Sequence, residues 1–334
     1  MVDQIDDNAN VTYNGMYMID GSHNRKVTGI DSLGDANNVG TYTHLTNRSF
    51  AKTLSDGNPV NDYTDLTKLE DSTGRNLGIK DGDTITVSWV NQGKTYVYSY
   101  NIPDDVMNLN DIFDNGNTRG FLVLGGTQEI IGKDASGDDV YTPDYQPAIT
   151  YRATQPGIAG QISGLTICVS DKNGNINKSA NSVLDNFEES IRAENNCPDN
   201  SIVLQIGTKA NQAIKVGLSD MRSYALGLKA TDGTTLNIST QKFSNVAINV
   251  LENALQKCLN QQTSIGSVES RLEYTSANIV TGSENTQASM STMHDADMAA
   301  EMTEYTKNKV LLQAAQSMLA QANQNSSSVL SLLQ

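Results

Sequence analysis

Cysteine is scarce and poorly placed for chemistry. Cys168, Cys197 and Cys258 are odd in number, far apart and without a CxxC spacing, so they support neither a disulfide framework nor a thiolate zinc site. No run approaches the ~20 apolar residues that a membrane span requires. The opening Met1-Val2-Asp3-Gln4-Ile5-Asp6-Asp7 lacks the basic start and apolar stretch of a secretory leader, so Sec-type secretion is not encoded there. Basic charge is also short: 23 Lys and Arg stand against 38 Asp and Glu, a net charge of -15, which disfavours a nucleic-acid partner. Histidine is limited to the isolated His23, His44 and His294, with no HExxH, no GxSxG and no neighbouring Cys and His pair. Nothing in that set forms a catalytic constellation, so neither an enzyme nor a cofactor is expected.

The residues that are abundant are unevenly distributed. Residues 1–200 hold 28 acidic and 14 basic side chains, all six prolines and 20 of the 26 glycines, whereas residues 201–334 are nearly neutral. The two parts obey different physics: the first is a turn-rich, acidic chain whose like charges keep it solvated, and the second is built for helices.

Two segments in the first part alternate with period two, 84–90 (TITVSWV) and 95–100 (TYVYSY), and predict a hairpin through the Gly-containing loop 91–94. A shorter hairpin is expected where Val11-Thr12-Tyr13 and Met16-Tyr17-Met18-Ile19 flank Asn14-Gly15. Residues 22–70 read as coil with short strands. After Pro103, Asp104 and Asp105 can cap a short helix with Met107 and residues 109–113 on its apolar side. A similar cassette comes later in the chain: a strand at 165–169, a turn at Asp171-Lys172-Asn173-Gly174, and a helix carrying Val183, Phe187 and Ile191 four residues apart. Strand pairs with small helices predict a compact α+β domain.

Three short motifs invite a chemical reading and lose it on inspection. Gly93-Lys94-Thr95 matches the end of a phosphate-binding loop, but Ser88 stands where the first glycine belongs, and a hairpin turn accounts for it. Asp171-Lys172-Asn173-Gly174-Asn175 is similar to a calcium loop, yet its glycine comes fourth and Ser182 holds the position of the closing Glu, which favours a tight turn. Asp134, Asp138 and Asp139 around Gly137 read as a solvated loop.

The helical part begins near Thr240. Stepping by three and four from Ser244 reaches Ala247, Leu251, Ala254, Cys258, Gln261, Ile265, Val268, Leu272, Thr275 and Ile279, a mostly apolar seam that predicts a long packed helix over 240–280. Phe243, Val246 and Val250 flank the seam and imply more than one partner helix. Gly266 marks a close approach or a bend. A polar stretch at 283–294 then separates a second helix that Asp295 or Asp297 can cap. Beyond Lys309 no Asp, Glu, Lys, Arg, Gly, Pro or aromatic occurs. Leu311, Ala315, Met318 and Ala322 follow one face with Leu312 and Leu319 beside it, while Gln and Asn side chains interrupt any membrane reading. A lone helix of this kind is marginal in water, and its neutral amides bond across helices without the desolvation cost of charge, so it is expected to order on assembly.

Residues 290–324, MSTMHDADMAAEMTEYTKNKVLLQAAQSMLAQANQ, with the closing Ser328-Val329-Leu330-Ser331-Leu332-Leu333, resemble the C-terminal end of bacterial flagellins. Ser267-Val268-Glu269-Ser270-Arg271-Leu272-Glu273-Tyr274 resembles the family's long rod-domain helix. Leu204-Gln205-Ile206-Gly207 with residues 221–228 resembles the stretch leading into it, and residues 2–15 the segment before the variable domain. The resemblance implies an α+β fold: long C-terminal helices of rod-bundle and coiled-coil type plus a mixed, β-rich outer variable domain. It assigns 1–22 to a remnant of the N-terminal rod segment with its hairpin, 23–185 to the outer domain, 186–282 to the rod domain, and 283–334 to the filament-core helix. By the same comparison the chain starts after the family's N-terminal helices, as a truncated form would.

Functionally, the resemblance implies a structural subunit that polymerises into the flagellar filament and is exported through the flagellar apparatus to the cell exterior. Its implied partners are other flagellin subunits and the flagellar export chaperone at the last helix. The innate immune receptor for flagellin is a further one, although its main epitope segment is missing. The expected assembly interface is Leu251, Ile265, Val268, Leu272, Leu311, Leu312, Ala315, Met318, Leu319, Ala322, Leu330 and Leu333. A hook-filament junction protein and a secreted adhesin with a ligand-binding acidic domain are the alternatives.

Overall fold

The computed structural model describes residues 1–28, 40–51, 53–61, 63–103, 106–113, 121–124, 130–142, 148–294 and 297–332. Its contacts separate two units, Met1–Ser270 and Arg271–Gln334.

The first unit opens with helix α1 (Val2–Ala9) and the hairpin β1 (Thr12–Tyr13) and β2 (Met16–Tyr17). Asn14 and Gly15 take φ of 52° and 79°, the left-handed pair that an Asn-Gly turn supplies. Strand β3 (His44–Asn47) is buried throughout. The predicted long hairpin is β4 (Thr84–Asn91) and β5 (Lys94–Asn101), paired from Thr84↔Asn101 to Asn91↔Lys94, so Gly93-Lys94-Thr95 is turn and strand. Helix α2 (Leu109–Phe113) is followed by β6 (Phe121–Leu124), β7 (Ile130–Lys133), β8 (Asp139–Tyr141) and β9 (Ala148–Arg152). The cap of α2 is reciprocal. Asn108 Oδ1 accepts from Asp111 N and Asn108 N donates to Asp111 Oδ2, both at 3.0 Å; the expected caps Asp104 and Asp105 lie outside the described residues.

Strand β10 (Ile162–Ser170) leads through the Asp171 turn to α3 (Lys178–Leu184), then β11 (Glu188–Ile191), β12 (Ile202–Gln205) and β13 (Ala213–Val216). The helix expected to carry Val183, Phe187 and Ile191 therefore ends early. Val183 is on α3, but Phe187 is a buried core residue beyond it and Ile191 lies in β11. A period of four cannot see that residues 188–191 have a distant backbone partner, and pairing Glu188↔Thr46 and Glu189↔Leu45 overrides local helix preference.

Two antiparallel sheets carry the domain, one in the order β10-β4-β5 and the other β11-β3-β9-β6. One apolar cluster takes Ile85, Val87 and Trp89 from β4, Leu165, Ile167 and Val169 from β10, Leu45 from β3, Tyr151 from β9, and Leu184 from α3. Trp89 lies flat against Tyr96 and Tyr98 at centroid distances of 5.7 and 5.1 Å, so the strand alternation seen in sequence becomes an aromatic ladder on the inner face.

A recurrent turn explains much of the Asp and Gly content. At Asp71, Asp134 and Asp171 the backbone closes onto the residue four later, the glycine three later adopts φ of 80°, 89° and 83°, and the Asp Oδ1 accepts amide hydrogens of the loop. The residues that resembled a calcium loop are thus a turn whose carboxylate accepts from the Asn173 and Asn175 amides and from the Asn175 side chain.

Helix α4 (Gln241–His294) begins in the first unit and continues into the second, where α5 (Met298–Leu332) comes next. The polar stretch 283–294 is helical, not the expected separator. It contains no proline, and hydroxyls turn back onto the fourth preceding carbonyl, Thr286 to Gly282, Ser289 to Asn285 and Thr292 to Ala288. Asp297 caps α5 by accepting from Ala299 N and Ala300 N; Asp295 is outside the described residues. Gly266 faces open space, so it marks no close approach.

Candidate assembly surfaces

The free edge of β10 determines how α4 lies on the first unit. Since among the described residues β10 has β4 as its one strand neighbour, alternate backbone groups along its other side need partners, and an unpaired edge is a template for unwanted strand addition. Polar side chains supply the partners in sequence. Asn253 Nδ2 donates to Ser163 O at 2.8 Å and Asn249 Nδ2 to Leu165 O at 3.0 Å. Asp185 accepts from Ile167 N, and Asn181 Oδ1 from Val169 N at 2.7 Å. Asn249 and Asn253 are four apart, one turn of α4, so the helix runs along the edge.

Glycine permits the approach. A Cβ on Gly164 would stand 2.8 Å from Val250 Cγ2 and 3.0 Å from Val250 N. Beneath it, Val246, Val250 and Ala254 form an apolar cluster with Val90, Leu226 and Leu228, to which Val2 and Ile5 of α1 add. Asp6 ties α1 down by accepting from both the amide and the hydroxyl of Ser223 at 2.8 Å. Burial opposes its charge, but those bonds and the Lys229 ammonium hold its carboxyl below the ordinary value.

Lys257 ends this buried stripe. Its ammonium lies 3.6 Å from Glu189 Oε1, and both side chains are almost fully buried. Ala225 O accepts from it at 3.5 Å. Desolvation pushes the Lys257 pKa down, and the Glu189 carboxylate works against that. A cavity of about 240 Å³ beside it is lined by Asn24, Arg192, Glu194, Cys197, Arg222 and Lys257, among others. Its charges are mutually compensated: Arg222 grips Asp220 at 2.6 Å, Arg192 faces Glu189 at 3.7 Å, and Glu194 accepts from Asn24. Among the described residues no group of three or more His, Cys, Asp or Glu is placed to hold a metal ion.

On the opposite side of α4, Ile248, Leu251, Leu255 and Leu259 form an exposed apolar stripe, with Leu251 51% and Leu255 58% accessible. The expected seam is therefore not one face. Ala247 and Ala254 are buried, whereas Leu251, Cys258 and Ile265 are exposed and Val268 and Leu272 half-buried. Steps of three and four swing to either side on a helix of about 3.6 residues per turn, carrying Ala247 and Ala254 toward the buried side and Leu251 and Cys258 away from it. Val246 and Val250, read as flanks, are the true buried centre.

In the second unit, α5 has no buried residue over its 35 positions. Leu311, Leu312, Ala315, Met318, Leu319, Ala322 and Leu330 are all exposed, Met318 to 72%; Leu333 lies outside the described residues. No described helix is long and apolar enough to cross a membrane.

Among the described residues, α4 and α5 each leave an apolar face exposed. Residues 248–333 match the family described as the bacterial flagellin C-terminal helical region. The chain is 42% identical over 132 residues to a putative flagellin, YvzB, of Bacillus subtilis, covering 39% of this chain and 79% of that protein. It is 39% identical over 150 residues to a Bacillus subtilis flagellin, covering 40% and 49%. With a flagellar filament 33 kDa core protein of Treponema phagedenis it shares 41% over 134 residues, covering 40% and 47%. The chain belongs to the bacterial flagellin family. It spans about half the length of two of these relatives.

Proposed function

We propose that this chain is a structural, non-catalytic subunit of the bacterial flagellar filament, serving motility outside the cell after passage through the flagellar export apparatus. In this reading residues 283–334 pack in the filament core, 186–282 form the rod layer together with the 1–22 segment, and the acidic, β-rich 23–185 region projects outward. Its partners are further flagellin subunits and, before assembly, an export chaperone on α5. The innate immune receptor for flagellin is a further partner through the rod-layer segments.

The observation that carries the reading is α5: 35 helical residues, none buried, with no charge after Lys309. An isolated helix gains little from its own hydrogen bonds in water, and its stability comes from burying an apolar face. Leu311, Leu312, Ala315, Met318, Leu319, Ala322, Leu330 and Leu333 would supply that face, and Leu251, Ile265, Val268 and Leu272 separate contacts in the rod layer. Head-to-tail contacts that do not close build a helical filament.

Elongation from flagellar seeds tests it. The parent chain is expected to add to seeds with a rise in helical circular dichroism. Leu312→Glu with Leu319→Glu is expected to stop elongation, because each buried carboxylate costs several kcal/mol. Elongation by that variant at the parent rate would refute the core assignment.

A further inference from the structure

Helix α4 presents two apolar faces, and it is the less apolar one that is buried on the first unit. At 3.6 residues per turn, Val246, Val250, Ala254 and Lys257 lie about 150° around the helix from Ile248, Leu251, Leu255 and Leu259. The inner face offers two valines, two alanines, two asparagines and a lysine. The outer face offers one isoleucine and three leucines, all at least 43% exposed. Area alone would turn the helix over.

We propose that Asn249, Asn253 and Lys257 are positioning residues that select the buried face of α4 and thereby hold the Ile248, Leu251, Leu255 and Leu259 stripe outward. Each answers a polar group from which a leucine would remove a partner. Asn253 and Asn249 satisfy Ser163 O and Leu165 O, Asn249 also reaches Thr166 Oγ1 and Asp185 Oδ1 at 3.2 Å, and Lys257 answers the buried Glu189. Turning the helix would orphan Ser163 O and Leu165 O and take one partner each from Asp185 and Glu189, leaving Glu189 with Arg192 at 3.7 Å, and buried polar atoms so deprived cost more than the extra methylenes return. Gly164 adds a shape condition, since the helix backbone sits where only a small inner side chain fits. The inference concerns the facing of α4 in a single chain and stands whether or not the chain polymerises.

The reporter is a cysteine at the centre of the outer stripe, Leu255→Cys, in a chain that also carries Cys258→Ser. Leu255 is 58% exposed and lies within about 10° of the centre of that stripe, so a helix turned over would bury it. The experiment compares this reporter chain with the same chain carrying Asn249→Ala, Asn253→Ala, Lys257→Ala. Iodoacetamide labelling at position 255 is read by peptide mass spectrometry, with amide hydrogen exchange of residues 246–254 followed in the same samples. The reporter chain is expected to label at nearly the unfolded-chain rate. The variant is expected to keep its amide protection while labelling at 255 falls about tenfold, the value for a turned population of about 90%. Adding Leu251→Ser and Leu259→Ser should restore labelling. Unchanged labelling with protected amides would show that the three residues do not choose the face. Loss of amide protection confined to α4 would show that the outer face cannot compete, which overturns the proposal equally. If β4 and β10 also lose protection, the milder Asn249→Ala, Asn253→Ala pair is judged by the same two readings.

Discussion

Replacing Asp185 with asparagine measures what it costs to place a carboxylate in the row of side chains along β10. The carboxyl is mostly buried, accepts from Asn249 Nδ2 at 3.2 Å, and is held by the Thr166 hydroxyl and the Ile167 amide, all neutral donors. Burial pushes it from 3.8 up to about 6 despite those bonds. Its folded value exceeds its unfolded one, so the fold binds the proton more tightly. The cost is therefore fully present above pH 6, shrinks as pH falls through 6, and is gone below about 4. At ~1.4 kcal/mol per decade the ceiling is ~3 kcal/mol, and residual solvent contact reduces it to ~2 kcal/mol. Asparagine removes the charge but turns an amide group toward one of the three donors, losing ~1 kcal/mol of hydrogen bonding. Asp185→Asn is thus expected to stabilise by ~1 kcal/mol at pH 7.5 and to destabilise by ~1 kcal/mol at pH 4. Urea unfolding monitored through Trp89, the chain's one tryptophan and a core residue, reads the difference directly. An identical effect at both pH values would refute the reasoning, as would an NMR titration placing Asp185 at an ordinary carboxyl value.

Three further substitutions probe the same unit. Gly164→Ala should cost ~1–3 kcal/mol because the new methyl meets Val250; an unchanged urea midpoint would mean that α4 does not press on β10. Asn177→Ala removes the cap that accepts from Ala180 N and donates to Leu77 O, and a loss of ~1 kcal/mol is expected, measured as a lower melting temperature. Lys257→Ala leaves the buried Glu189 with only the Arg192 guanidinium at 3.7 Å and should destabilise by ~2 kcal/mol, with Glu189→Gln in the same chain recovering part of the loss; no recovery would show that the pair is not coupled.

Local chemistry was readable wherever neighbours in the chain decide it. The alternation of 84–90 and 95–100, the Asn14-Gly15 turn and the Asp171 turn need only a few adjacent residues to specify their backbone. The charge-free segment after Lys309 likewise announces a helix with no solvated face of its own. Residues 188–191 were misread because their partner, β3, lies more than a hundred residues away, and residues 283–294 because polar composition does not break a helix whose hydroxyls bond their own backbone.

By itself, then, the sequence determined the two regimes of this chain, the hairpins and tight turns of the acidic part, and the long helices that end it. Only the tertiary structure decided which side of α4 is inside. Hydrophobicity favours the leucine stripe, but a helix on a sheet edge must also answer the backbone groups left free there. Those groups exist only once β10 has paired with β4. Period and composition along the chain carry no record of them, so the apolar seam drawn from spacing straddled two faces that the fold keeps apart.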